Sequence, residues 1–116
     1  MKDILLYLSG GLGMAIALVH GYLGETKVVR PTAASTPAAK RVLHAIMFLS
    51  GVYWFVASAI LVATPAYVPE LVRPIVVYGV AAIFISGCVA NFWATRGRHF
   101  GWALLALAAG LALAGV

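Results

Sequence analysis

The 116-residue sequence is 64% hydrophobic and 9% charged, with a mean hydropathy of +1.03 and a net charge of +5. Soluble domains average about 45–50% apolar and about 25% charged residues, so a water-soluble fold of this composition would leave a large greasy surface in solvent. The composition predicts an all-α integral membrane protein, a four-helix transmembrane bundle forming one domain over residues 1–116.

The first apolar run, Ile4 to Leu23, has twenty residues. At about 1.5 Å per residue it crosses a hydrocarbon core of about 30 Å, and it is expected to be retained as a helix rather than cleaved as a leader. A polar connection over residues 24–41 follows. Within it, Thr36-Pro37 reads as an N-cap with proline at the first helical position. Span two is placed at about 42–63, because Pro65 and Pro69 remove donors and restrict the residues before them. Span three covers about 74–94, with a helical lead-in from Pro69 to Arg73. Arg96-Gly97-Arg98-His99 makes a tight reversal, and span four, 100–116, is long enough only just to cross. Two antiparallel hairpins result.

Odd and even connections fall on opposite membrane faces. Lys27, Arg30, Lys40, Arg41, Arg96 and Arg98, six of the eight basic residues, share one side. Lys2 and Arg73 on the other side have Asp3 and Glu70 nearby. The positive-inside rule therefore puts the 24–41 loop in the cytoplasm and both termini outside, in a bacterial inner membrane. Those six basic residues are expected to meet lipid headgroups, and Tyr67, Trp93 and Trp102 suit the interfacial aromatic belt. No basic stripe with interleaved aromatics exists, which excludes nucleic acid as a partner.

Membrane helices associate through close backbone approach and shared polar contacts, so small residues mark the seams. Gly10, Gly13, Ala17 and Gly24 share a stripe of span one with His20. Gly51 and Ser58 continue the line of His44 in span two, with Met47 and Trp54 between them. Gly87, Asn91 and Thr95 in span three, and Ala106 and Gly110 in span four, complete the expected contacts. Leu8-Ser9-Gly10, Leu49-Ser50-Gly51 and Ile85-Ser86-Gly87 sit at different depths and are not read as a repeat. Cys88, the one cysteine, is a packed thiol.

All three histidines fall toward the cytoplasmic end, where Glu25 also lies. Intramembrane ionisable groups are costly unless they pair or face a cavity, which makes the cluster a candidate site. Four readings stand. His20 and His44 are axial ligands of a b-type haem, with Gly13, Gly21 and Gly24 making room. Alternatively His20, His44, His99 and Glu25 hold a metal ion. In the third, His20 and His44 relay protons or line a solute path. In the fourth, the one the sequence favours, His20 and His44 bond to each other or to nearby carbonyls, and His99 caps or sits among headgroups.

Signatures of soluble enzymes are missing: no phosphate loop, no C-x-x-C, and no serine with histidine and acid at recognisable spacing. In size and span count the chain is similar to the small multidrug resistance transporters, short four-helix proteins that work as dimers. That resemblance implies a central glutamate in the first span, but no acid lies between Ile4 and Leu23, so no site residue is carried over. The expected role is a non-catalytic homo-oligomer or an accessory subunit of a membrane complex, with lipids and other membrane subunits as partners.

Overall fold

The computed structural model describes all residues 1–116 and is built from helices alone. Helix α1 spans Lys2–Leu23 and runs without a break into a π-helical segment, Gly24–Val29. Helix α2 is Pro37–Tyr67, α3 is Arg73–Thr95 and α4 is Gly101–Ala114. α1 with its π segment, α2 and α3 are long and apolar enough to cross a membrane. The 14 residues of α4 reach only about 21 Å at 1.5 Å per residue.

The cap expected at Thr36 is present: its hydroxyl accepts from the Ala39 N–H at 3.1 Å, with Pro37 opening α2. Two boundaries differ from the sequence expectation. The first helix does not stop at Leu23 but continues for six more residues, because nothing between Gly24 and Val29 breaks a helix. The second does not end at Ala63. It absorbs Pro65 into its last turns and stops at Tyr67, where Val68, preceding Pro69, turns extended at φ −103°, ψ 123°. A single proline near a helix end loses little, whereas the residue before the next one is driven out of the helical region.

Between α3 and α4 the chain reverses through Arg96 (φ 52°) and Gly97 (φ 72°). The Gly97 N–H bonds to Phe92 O at 2.9 Å and the Arg96 N–H to Trp93 O at 3.3 Å, the Schellman pattern. Arginine in the left-handed region is strained by about 1 kcal/mol. Arg96→Gly is therefore expected to raise stability by about 0.5–1 kcal/mol, read as a higher melting temperature in detergent. No gain would mean that the Arg96 side chain contributes as much as its backbone costs.

The helices form a ring. α1 packs chiefly on α2 and α3 on α4, α1 also closes onto α4, and the α2–α3 seam is the thinnest. The closure carries a buried bond from Ser9 Oγ to Ala108 O at 2.7 Å. The core gathers Leu6, Trp54, Leu61, Phe84 and Leu105 with small residues from every helix. On α1 the stripe Gly10, Gly13, Ala17 and Gly24 is buried as expected. On α4 the expectation is corrected: Ala106 and Gly110 point outward, and Leu105, Ala108, Ala109 and Ala112 face in. An all-apolar helix has no periodicity to fix its rotation.

At the end opposite the basic loops, Arg73 clasps three helix termini. Its Nη1 donates to Asp3 Oδ1 at 2.8 Å and its Nη2 to Pro65 O at 3.5 Å. Asp3 and Arg73 thus pair across the bundle rather than with their neighbours Lys2 and Glu70.

Candidate functional site

The α1–α2 seam sets the level of every polar group near the basic end. A Cβ on Gly13 would fall against Ser58, and one on Gly24 against Met47. His20 Nε2 lies 2.9 Å from Ser50 Oγ, and His44 Nδ1 lies 3.7 Å from Glu25 Oε2. His20 therefore sits opposite Ser50, while His44 is six residues closer to the loop, about 9 Å along the helix. The two histidines do not meet. The reason is the extra length of the first helix: taking its end at Leu23 puts His20 a turn from the mouth, but the π segment sinks it deeper.

Ser50 Oγ also bonds Met47 O at 3.0 Å. A hydroxyl has one proton, so when it is donated to Met47 O, His20 Nε2–H must be the donor to Ser50. Trp54 covers the imidazole, with ring centroids 4.5 Å apart, and Gly51 leaves room beside it. The Trp54 indole in turn lies where a Cβ on Gly87 of α3 would be, 2.7 Å from Cζ2. His20, Trp54 and Gly87 thus join three helices, whereas the expected bond of His20 and His44 to each other or to carbonyls is not the one found: His20 meets the Ser50 hydroxyl and His44 meets Glu25.

Glu25 and His44 come together at the mouth. Glu25 Oε1 also accepts from Arg30 Nε at 3.2 Å, an i,i+5 approach that suits the wider π turn, whose backbone bonds the Arg30 N–H to Glu25 O at 3.0 Å. Lys40 Nζ donates to Arg30 O and Thr32 O at 3.2 and 3.3 Å. The lysine caps the end of that helix, as cations do at helix C-termini. Arg30, Lys40, Arg41, His44 and Glu25 line an open cavity of about 800 Å³.

His99 bonds to neither pair. Its Nδ1 accepts from the Gly101 N–H at 3.1 Å and its ring stacks on Phe100, so it caps the start of α4. No three of the His, Cys, Asp and Glu side chains gather as a metal-binding group. Lys27, Arg30, Arg41, Arg96 and Arg98 are exposed and Lys40 is half-buried. Ser50 and the Lys40 cap were not singled out from the sequence. The only signal for Ser50 was its Ser-Gly pair, a motif common in any packed membrane helix.

No known family model matches the chain, and no curated protein or solved structure matches it significantly.

Proposed function

We propose that the chain is a small polytopic protein of the bacterial inner membrane, a four-helix transmembrane bundle with both termini outside. It acts without catalysis, as a homo-oligomer or as an accessory subunit of a larger membrane complex. The observation that carries the reading is the outward face of α4, where Ala106, Gly110 and Ala114 stand four residues apart and exposed. A Cβ on Gly110 would meet nothing within 4 Å. Glycine in a helix interior costs about 1 kcal/mol relative to alanine, and a small-xxx-small face admits a second helix at close range. The internal ties of His20 and His99 support a structural role for both residues.

Gly110→Leu fills this face without a clash inside the protomer. It is expected to convert an oligomer to monomer, or to strip co-purifying subunits, in light scattering of the detergent-solubilised protein. A wild-type protein that is monomeric and purifies alone would overturn the reading. Reporter fusions to the C-terminus should be active outside the cytoplasm. A second reading keeps His20 and His44 as a relay or as cofactor ligands; one observation favours its His44 half, since His44 and Glu25 face an open cavity, whereas His20 lines neither cavity. A Soret band, bound metal, or flux in proteoliposomes lost in His44→Ala would establish it.

A further inference from the structure

The cavity at the basic mouth does not end there. A second, apolar groove of about 460 Å³ begins at the same Glu25, His44 and Phe48 and runs down the outside of the α1–α2 seam over Ala17, Gly21 and Gly51. We propose that the two together bind one anionic glycerophospholipid, its phosphate held at Arg30, Lys40 and Arg41 and one acyl chain laid along Gly21 and Gly51. The site rests on the membrane placement proposed above and gives the basic loop a specific ligand.

Charge complementarity selects the occupant. Three cations and one carboxylate line the mouth. Glu25 is engaged by Arg30 and His44, whereas Arg41 is exposed and takes part in no ion pair. Arg41 is free to meet a phosphate, and so are the outer nitrogens of the Arg30 fork, whose planar donors match phosphate oxygens. A free phosphate would satisfy the mouth and leave the groove uncovered. A zwitterionic lipid would fill the groove but carries no net charge for the mouth. Gly21 is exposed, and a Cβ there would meet nothing within 4 Å, so this stretch of the groove wall is bare backbone open to a slender apolar chain.

The test is native mass spectrometry of the detergent-solubilised protein exposed to equal amounts of phosphatidylglycerol and phosphatidylcholine of the same chain length. Phosphatidylglycerol should be retained about tenfold or more over phosphatidylcholine, since each basic side chain near an anionic lipid is worth about fivefold. Arg41→Gln should lower that preference about fivefold. Gly21→Leu fills the groove and should abolish retention of both lipids while the circular dichroism and melting temperature hold. Equal retention of the two lipids, or unchanged phosphatidylglycerol retention in Gly21→Leu, would overturn the proposal. So would displacement of the lipid by millimolar inorganic phosphate, which would assign the mouth to a soluble anion. A protein that stays dispersed without detergent would instead sink the membrane placement. One that needs detergent yet shows no lipid preference sinks the lipid site alone.

Discussion

Gly13→Ala is expected to lower stability by about 2 kcal/mol, although alanine is the better helix former. The added methyl would land on the Ser58 side chain and 2.7 Å from Phe84 Cζ. Neither neighbour can retreat. Ser58 Oγ is tied to Trp54 O at 2.6 Å, and Phe84 is fully buried between α1 and the rest of the core. Overpacking costs about 1–3 kcal/mol and falls at the upper end here because both neighbours are held, so after a propensity gain of about 1 the net loss is about 2 kcal/mol. Gly11→Ala is the control, because a Cβ there meets nothing within 4 Å. Thermal melts in detergent should show Gly13→Ala falling and Gly11→Ala level or rising. Equal behaviour of the two would mean that α1 does not seat on α2 in this register.

Trp54→Ala should have the larger effect, about 3 kcal/mol or more. Removing a buried aromatic costs about 3–5 kcal/mol in soluble cores, and a bilayer trims the transfer part because lipid is as apolar as the core. What remains is lost packing. Trp54 is 8% exposed and wedged between His20 and Gly87, so its loss opens a void spanning α1, α2 and α3. Trp54→Phe should recover about half, and the imidazole signals of His20 should shift in both variants by NMR. Unmoved His20 signals would show that the indole does not support the ring.

Much of this was legible in the residues themselves. The cap at Thr36 and the Arg96-Gly97 reversal are local properties, written in neighbouring side chains, and each reappears in the structure, whereas the expected span ends hold for α3 but not for α1, α2 or the short α4. The buried stripe on α1 was legible because glycines at helical spacing have no other use in a membrane seam. Rotation and register were not. α4 is apolar all round, so nothing in it distinguishes Ala106 from Ala108. Likewise His20 and His44 lie at similar distances from the ends of their hydrophobic runs, but a helix continues through polar residues until something stops it. The six residues of the π segment shifted the pairing from His20–His44 to His20–Ser50 and Glu25–His44. The Asp3–Arg73 clasp was hidden for a similar reason, since the nearer charges in sequence are not the nearer ones in space.

The bond from Ser9 to Ala108 joins residues 99 positions apart, so it can form only once α4 has been made. The α1–α2 hairpin is complete in the chain first and the α3–α4 hairpin second. In the membrane placement proposed above, the Ser9 hydroxyl lacks its Ala108 acceptor until the last helix emerges from the ribosome. The contact that closes α1 onto α4 therefore becomes available only when synthesis is nearly over.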